Sequence, residues 1–318
     1  MKKIWLIGSG LMGIEYAKVL AALNTGFVAI GRGEKNVKKF EELTGHPAIQ
    51  GGLKSFLAND PEIPDAVIVA VGVEALATTT QLLLDYGIKK ILLEKPGGVC
   101  YAEIATLNES ANKIGAKVVI AYNRRFYSSV LKAEEIIQED GGVTSFNFEF
   151  TEWLHIIEKL DKPQNVKQNL FLGNSTHVVD TAFFLGGKPK TLYALHKGGV
   201  NWHPASSVFA GAGESESGAL FSYQANWEAP GRWVIEILTR KNRLLFKPME
   251  SLQIQQSGSI AVNPVDIDDK LDKAFKPGLY LQTKAFLEND LTRFCTLKDQ
   301  KEMTEKYYLK ISGYSANR

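Results

Sequence analysis

The chain has 318 residues, of which 45% are apolar and 23% charged, and its formal net charge at pH 7 is +2. This composition is that of an ordinary globular protein, and the near balance of acidic and basic residues excludes a strongly basic protein that binds nucleic acid or membrane surfaces. The length favours two domains, residues 1–122 and 123–318, with a single very large domain as the alternative.

The cysteines and the apolar runs indicate in which cellular compartment the protein is expected. Cys100 and Cys295 share no motif spacing with a histidine, which argues against a disulfide framework or a zinc site and favours a reducing environment. The apolar run at residues 4–7 is too short for an export signal. No other run approaches the roughly 20 apolar residues of a membrane span, so we expect a cytoplasmic protein with no membrane partner.

The first 122 residues alternate between short apolar runs and longer amphipathic stretches. We predict strands at residues 4–7, 27–30, 66–71, 90–93 and 117–121, and helices at 12–23, 37–44, 75–86 and 102–114. The strands are almost entirely apolar, which is typical of parallel strands covered by helices on both faces. We therefore expect an α/β domain with a doubly wound parallel sheet.

A glycine motif directly follows the first predicted strand and reads Gly8-Ser9-Gly10-Leu11-Met12-Gly13. The first glycine of a GxGxxG makes a tight turn, the second lets backbone approach a pyrophosphate, and the third lets helix and strand pack closely. The N-terminus of the following helix offers N–H groups to the anion. Glycines also occur in ordinary strand-to-helix turns, but the strands and helices that follow favour a dinucleotide bound by residues 8–13.

The end of the second predicted strand bears on the choice of cofactor. In NAD-binding proteins an acidic residue there accepts a hydrogen bond from the ribose 2′-hydroxyl. Here Gly31 holds that position and Arg32 follows, and a guanidinium group can bind a 2′-phosphate through two hydrogen bonds. We predict NADP in preference to NAD, with Arg32 contacting the cofactor. The alternative is that Arg32 faces solvent and Glu34 turns inward.

The second half of the chain has a different pattern. A helix is predicted at residues 129–139, and alternating apolar and polar residues predict antiparallel strands at 144–150, 219–223, 233–239 and 243–246. A Gly- and Ser-rich stretch, residues 211–218, is predicted to be a loop. A last helix is predicted at residues 281–294, and the sequence does not decide which domain it joins. We expect an α+β domain with a large, open, mainly antiparallel sheet.

Four motifs spread over both halves point to one family. They are residues 8–13, Glu94-Lys95-Pro96, Tyr122-Asn123-Arg124-Arg125-Phe126 and Gly173-Asn174-Ser175-Thr176-His177-Val178-Val179-Asp180. With them the chain resembles the Gfo/Idh/MocA family of NAD(P)-dependent sugar oxidoreductases, and less specifically a branch associated with bacterial surface-sugar biosynthesis. The resemblance implies a Rossmann domain, an α+β substrate domain, an active site in the cleft between them, and a homodimer or homotetramer formed through the open sheet.

The resemblance assigns catalytic roles to Lys95, which would reach the nicotinamide and the substrate hydroxyl, and to His177, which would act as acid and base. Independently of the family, ligands of open α/β sheets bind beyond the carboxyl ends of the strands. Val71, Glu94, Lys95 and Pro96 are therefore expected to line the cofactor, and a desolvated ammonium group there can donate to a substrate oxygen. The simpler interpretation is that Glu94 and Lys95 form a surface ion pair, which contributes little to stability. That interpretation does not explain why the two charges lie at the end of an apolar strand.

His177 is predicted to share a helix face with Asp180, which could orient its ring. Imidazole suits proton exchange near neutral pH, although an isolated helical histidine is more often a packing residue. Many family members carry an aspartate four residues before this histidine, and here that position is Gly173, followed by Asn174. An amide can bind a substrate hydroxyl but cannot carry the charge, so the proton relay departs from the family pattern.

The remaining candidates concern the substrate. A sugar needs aromatic faces and well-placed polar groups, and the predicted substrate-binding residues are Tyr122, Asn123, Arg124, Asn174, His177, Trp202 and His203. Any one tryptophan is more often part of the core than a sugar platform. No cluster has the spacing of metal ligands, so no metal site is predicted.

We therefore expect an oxidoreductase that transfers a hydride between a nicotinamide cofactor and a secondary alcohol or ketone of a sugar or sugar nucleotide. Two other classes stay open. One is a non-catalytic regulatory protein that binds a dinucleotide or sugar, which the glycine at position 173 keeps under consideration. The other is a redox-assisted epimerase or glycosidase, which would form product without a net change in reduced cofactor.

Overall fold

The computed structural model describes residues 2–315, which form two compact units. One unit comprises the chain up to Asn123 together with Lys273–Glu302, and the other comprises Arg124–Asp272 together with the described residues from Met303 onward. The first change of unit thus falls one residue after the predicted boundary at residue 122. The sequence left open which domain the helix predicted at residues 281–294 joins, and the segment that contains it, Lys273–Glu302, belongs to the first unit, although the predicted second domain covered all of residues 123–318.

A parallel sheet forms the centre of the first unit. Its main strands are β1 (Ile4–Ile7), β2 (Phe27–Ile30), β3 (Ala48–Ile49), β4 (Ala66–Val69), β5 (Lys90–Glu94) and β6 (Lys117–Ala121). β1 pairs in parallel with β2 and β4, and β5 pairs in parallel with β4 and β6. β1 and β4 are buried along their whole length, which explains why their sequences are apolar without alternation. The predicted α/β fold is confirmed.

Helices connect these strands. They are α1 (Leu11–Ala22), α2 (Glu34–Thr44), α3 (Gly52–Leu57), α4 (Val73–Asp85) and α5 (Tyr101–Ile114). α2 and α5 end at Gly45 and Gly115, both in the left-handed conformation that terminates helices without steric strain. The core of this unit joins Trp5, Leu93 and Ile120 with the apolar faces of the helices. It holds rigid the carboxyl ends of β1 and β5, where the glycine motif and Glu94-Lys95-Pro96 lie. β3 and α3 were not predicted.

The second unit is built on a mainly antiparallel sheet. Its elements up to residue 264 are α6 (Ser128–Glu139), β7 (Ser145–Glu149), α7 (Leu154–Ile157), α8 (Gln164–Gln168), α9 (Thr176–Gly186), β8 (Pro189–Lys197), β9 (Val208–Ser215), β10 (Leu220–Asn226), β11 (Val234–Leu238), β12 (Asn242–Phe246), β13 (Gln253–Gln256) and β14 (Asn263–Pro264). Within residues 2–315 the strand order is β14-β13-β12-β11-β7-β10-β9-β8. Neighbouring strands are antiparallel except β7 and β10. The expected open, mainly antiparallel sheet is confirmed.

The two faces of this sheet differ. Phe146 and Phe148 are buried and pack edge-on against Phe183 of α9. Asn147 and Glu149 alternate with them and lie on the opposite face, where they line a cavity of about 470 Å³. The oligomer contact that the family resemblance implies for this open face stays a prediction.

The prediction of a loop at residues 211–218 is wrong, because β9 covers most of this stretch. Gly211 pairs with Tyr223 and Gly213 pairs with Phe221 across the β9–β10 ladder. A Cβ at these glycines would lie 2.3 Å from the Tyr223 ring and 2.6 Å from the Phe221 ring. The glycines therefore make room for aromatic rings from the neighbouring strand. In the sequence alone, glycines at these positions resemble the glycines of a turn.

The last elements are α10 (Lys270–Ala274), α11 (Leu279–Glu288), β15 (Cys295–Thr296), α12 (Leu297–Met303) and α13 (Leu309–Ser312). β15 pairs with β6 and adds an antiparallel strand to the sheet of the first unit. The helix predicted at residues 281–294 is shorter than expected, because α11 ends at Asn289, whose φ of 68° is left-handed. Among residues 2–315, no helix combines the length and the apolar character that crossing a membrane requires.

Candidate active site residues

The turn between β1 and α1 holds the glycine motif. A Cβ at Gly8 would lie 2.3 Å from the carbonyl oxygen of Ala70, and a Cβ at Gly13 would lie 1.9 Å from that of Gly8. These glycines are required because backbone approaches them closely. A Cβ at Gly10 would meet no atom within 4 Å. Gly10 also begins α1 without a side-chain cap, which leaves N–H groups available to an anion, so the turn fits a pyrophosphate.

The other predicted cofactor-binding residues of the turn differ in exposure. Ser9 is buried, Met12 is half-buried and Leu11 is 75% exposed. Val71 follows β4 and is half-buried, and its backbone nitrogen would lie 3.2 Å from a Cβ at Gly8. The structure therefore brings Val71 beside the glycine turn, as expected for the carboxyl ends of adjacent parallel strands.

Alanine substitutions should separate the two kinds of glycine. We expect Gly13→Ala to lower the free energy of unfolding by about 1–3 kcal/mol, because its methyl group collides with backbone. We expect Gly10→Ala to change that free energy by less than about 1 kcal/mol but to weaken NADPH and NADH binding roughly tenfold or more. Urea unfolding and fluorescence titration with each nucleotide measure the two effects. Equal losses of stability in both variants would contradict this assignment.

The end of β2 leaves no room for an acidic side chain. A Cβ at Gly31 would lie 2.5 Å from Oγ of Ser9, so this position cannot carry the carboxylate typical of NAD-binding domains. Arg32 is exposed. Glu34 is also exposed and pairs with Lys38 at 2.6 Å, so the inward-turned Glu34 considered from the sequence is not what the structure shows.

Glu94, the last residue of β5, is held by α1. The hydroxyl of Tyr16 donates a hydrogen bond of 2.7 Å to Oε1 of Glu94. Burial raises the pKa of Glu94, while the hydrogen bond from Tyr16 and the positive charges of Lys95 and Lys276 oppose this shift. Burial and the nearby carboxylate raise the pKa of Tyr16, so its phenol remains a hydrogen-bond donor. Glu94 thereby joins the helix of the glycine motif to the strand that precedes Lys95.

The turn after β5 is fixed from a distant part of the chain. The Lys95–Pro96 peptide bond is cis, and Nε2 of Gln300 donates a hydrogen bond of 3.0 Å to the carbonyl oxygen of Pro96. Oε1 of Gln300 accepts a hydrogen bond of 3.1 Å from the hydroxyl of Tyr122. Sequence analysis missed Gln300, because it lies 204 residues after Pro96 and belongs to no motif.

Two predicted substrate-binding residues are built into the first unit. Tyr122 is 1% exposed and Asn123 is 6% exposed. Nδ2 of Asn123 donates a hydrogen bond of 2.9 Å to the carbonyl oxygen of Pro277. To bind a sugar, the polar groups of Tyr122 and Asn123 would have to give up these hydrogen bonds inside the unit. Buried polar groups with such internal partners are typical of residues that stabilise the fold.

His177 lies in the first turn of α9, directly after the π-helical turn Phe171–Ser175. Turns of this type are frequent at functional sites. The imidazole is half-buried, and its centroid lies 6.1 Å from that of the Trp233 ring. Both carboxylate oxygens of Asp180 bind Arg125, at 2.6 and 2.8 Å, and the orientation of the His177 ring by Asp180 stays a prediction.

Two arginines flank Trp233. The guanidinium carbons of Arg124 and Arg232 lie 4.8 and 4.3 Å from the ring centroid, within the range of cation–π attraction. Burial lowers the pKa of Arg124, although a guanidinium group stays charged in proteins. Nε of Arg124 is buried and makes no hydrogen bond within the described residues. The prediction that Arg124 binds substrate stays a prediction.

A buried carboxyl group lies beside Asn174. Glu152, just after β7, is 1% exposed. Its Oε1 accepts a hydrogen bond of 2.7 Å from Oγ of Ser175, and its Oε2 accepts one of 3.0 Å from Nδ2 of Asn174. Nη1 of Arg232 lies 3.4 Å from Oε2. Burial raises the pKa of Glu152 to about 7, against the opposing effects of Ser175 and Arg232. Sequence analysis missed Glu152, because no motif includes it.

Trp202 and His203, the last two predicted substrate-binding residues, are 8% and 0% exposed. Nδ1 of His203 lies 2.7 Å from the carbonyl oxygen of Ser206, and Nε2 lies 2.6 Å from the hydroxyl of Tyr314. With both ring nitrogens engaged inside the core, His203 has the surroundings of a structural histidine.

Sequence comparison matches the first part of the chain to a known family. Residues 2–122 match the oxidoreductase family with an NAD-binding Rossmann fold that is designated GFO_IDH_MocA. The matched segment contains the glycine motif and Glu94-Lys95-Pro96 and ends at Tyr122. No curated protein is significantly similar in sequence to the chain.

Solved structures share the whole fold. UDP-N-acetylglucosamine 3-dehydrogenase GnnA from Acidithiobacillus ferrooxidans is 15% identical, with 99% of this chain and 98% of that chain covered and a TM-score of 0.73. Levoglucosan dehydrogenase in complex with NADH and L-sorbose is 17% identical, with coverages of 94% and 93% and a TM-score of 0.75. The WlbA dehydrogenase from Chromobacterium violaceum, in complex with NADH and UDP-GlcNAcA, is 16% identical, with coverages of 98% and 93% and a TM-score of 0.72. At these identities the similarity establishes the fold.

Proposed function

We propose that the protein transfers a hydride between a nicotinamide cofactor and a sugar, because residues 2–122 match the oxidoreductase family with an NAD-binding Rossmann fold. The reacting group is a secondary alcohol or ketone of a sugar or a nucleotide-linked sugar. Dehydrogenases with the same fold whose structures contain NADH with L-sorbose or with UDP-GlcNAcA support this substrate class.

The observation that carries the proposal is the fixed turn after β5. Tyr16 holds Glu94, and Gln300 holds the carbonyl group of Pro96, so the residue between them leaves the sheet in a defined direction. Lys95 is that residue, at the carboxyl end of the strand, where open α/β sheets bind ligands. We assign to Lys95 the binding and polarisation of the substrate oxygen, whose negative charge changes during the reaction.

The remaining roles divide between the two units. The open space at Gly10 and the uncapped start of α1 hold the pyrophosphate, and the bound nicotinamide supplies the hydride acceptor or donor. In the oxidation of an alcohol, the carbon gives up its hydrogen with both bonding electrons, and the hydroxyl proton passes to His177. Asn174 and Arg124 bind other polar groups of the sugar, as donors and acceptors placed beside Trp233 and Glu152.

Cofactor preference follows from the end of β2, where Gly31 excludes a carboxylate and Arg32 is exposed. We expect Arg32→Gln to weaken NADPH binding roughly 10- to 100-fold, because a hydrogen-bonded charge pair with the 2′-phosphate is lost, and to leave NADH binding unchanged. Fluorescence titration of both nucleotides measures this, with Lys39→Gln as the control for an exposed cation of α2. A wild-type protein that binds both nucleotides equally would contradict the preference for NADP.

The proposed activity is tested by the absorbance of the reduced nicotinamide during incubation with free sugars and with nucleotide-linked sugars, in both reaction directions. We expect turnover with at least one of them. A protein that binds the dinucleotide but changes neither the absorbance nor the sugar would instead be a regulatory protein, the class favoured by the absence of an acidic residue at Gly173. Formation of a product without a net change in absorbance would indicate a redox-assisted epimerase or glycosidase.

A further inference from the structure

Glu152 is a strongly buried carboxyl group beside Asn174 and Trp233, and it has no role in the proposed reaction. Burying a carboxyl group is unfavourable unless its oxygens receive hydrogen bonds or positive charge. Ser175, Asn174 and Arg232 direct polar hydrogens to the two oxygens of Glu152. Three donors converging on one carboxyl group form a built site for a negative charge.

The contacts of Glu152 lead directly to the helix that carries His177. Asn174 and Ser175 are the last two residues of the π-helical turn Phe171–Ser175, and α9 begins at the next residue. Gly173 offers no side chain, so the charge beside this turn comes from Glu152, 22 residues earlier than Asn174. While Nδ2 of Asn174 donates to Glu152, its Oδ1 stays available as an acceptor for a hydroxyl group.

We propose that Glu152 is a positioning residue, which orients the amide of Asn174 and the start of the helix carrying His177, and that turnover depends on its negative charge. This inference rests on the proposed function. The ionised form of Glu152 strengthens the hydrogen bond from Asn174 and balances the positive charges of Arg232 and Arg124.

The charge of Glu152 changes within the ordinary pH range. Burial raises its pKa to about 7, so the carboxyl group is mostly protonated at pH 6 and mostly ionised at pH 8. The other charged or polar groups that act on it are Ser175, Arg232, Asn174 and Trp233, and Arg124 lies within range of its charge. Activity should therefore rise with pH through about 7 as Glu152 ionises.

The test compares Glu152→Gln with the wild-type protein over about pH 5.5 to pH 8.5. We expect the variant to lower kcat roughly 10- to 100-fold at the upper end of this range, with a smaller effect at the lower end, so that its pH profile is flatter. Glu158→Gln removes an exposed carboxylate six residues away and should leave kcat, KM and the pH profile unchanged. A profile in Glu152→Gln with the shape of the wild type would overturn the inference, because a merely structural role scales activity without reshaping its dependence on pH.

A second measurement does not depend on whether a variant is active. Difference infrared spectroscopy of the wild-type protein should show a protonated carboxyl band that disappears as the pH rises through about 7, and Glu158→Gln should keep this band. If no such band titrates, the inference is wrong even where Glu152→Gln fails to fold. If the wild-type protein shows no turnover, both the proposed function and this inference are contradicted. If the wild-type protein turns over substrate and Glu152→Gln has the same dependence of turnover on pH, only the inference is contradicted.

Discussion

Replacing Lys95 with methionine is expected to lower kcat by about 10³-fold, because the ammonium group that we propose to polarise the substrate oxygen is lost while the length of the side chain is kept. Binding of the reduced dinucleotide should change little, since its pyrophosphate contacts are proposed to come from the glycine turn between β1 and α1. The fold should also persist, because Tyr16 and Gln300 hold the residues on either side of Lys95 through bonds that do not involve its side chain.

The measurement is steady-state turnover together with nucleotide titration of the same variant. Lys90→Met is the matched control, because Lys90 begins the strand that Glu94 ends, and the substitution likewise removes an ammonium group, here one that lies 4.9 Å from the centroid of the Phe286 ring. We expect the control to retain wild-type kcat. Comparable turnover in Lys95→Met and Lys90→Met would show that Lys95 takes no part in the reaction.

Replacing Glu152 with glutamine is expected to stabilise the protein at high pH. The pKa of Glu152 rises from an ordinary 4.5 to about 7 on folding, so the folded state holds a proton that the unfolded state releases between these values. The free energy of unfolding of the wild-type protein therefore falls as the pH rises from about 4.5 to about 7, by about 3 kcal/mol in total, and the loss persists above pH 7. Glutamine does not ionise and avoids this loss.

The difference in unfolding free energy between Glu152→Gln and the wild type should thus grow by about 2–3 kcal/mol between pH 5 and pH 8. Urea unfolding followed by tryptophan fluorescence measures it, because four of the five tryptophans, Trp153, Trp202, Trp227 and Trp233, belong to the unit that contains Glu152. Glu158→Gln serves again as the control. A difference that does not vary with pH would mean that the carboxyl group is ionised throughout and that its pKa is not raised.

The two predictions can disagree in an informative way. A stabilised Glu152→Gln variant with reduced turnover would mean that the protein keeps an unfavourable buried charge for its activity, as active sites often do. A stabilised variant with full turnover would leave Glu152 as a structural residue. The pH dependence of stability and the pH dependence of turnover therefore test the electrostatics and the function of the same carboxyl group separately.

Several misreadings of the sequence have a common physical origin. Gly211 and Gly213 suggested a loop, but the structure uses them to accommodate the rings of Tyr223 and Phe221 within a strand pair. His203 suggested a ligand contact, but both of its ring nitrogens are engaged in the core. In each case the residue type was correctly noticed, and its neighbours, which the local sequence does not reveal, decide its role.

By itself, the sequence determined the α/β pattern of the first half, the glycine turn at residues 8–13 and the position of Lys95 directly after a buried strand. These features depend on periodicity and on turns formed by neighbouring residues, so they are encoded locally. Only the tertiary structure decided that Tyr16 holds Glu94, that Gln300 holds the turn after Lys95, and that Glu152 lies against Asn174. Such contacts join residues between 22 and 204 positions apart, and the packing of whole elements, which no short stretch of sequence contains, brings them together.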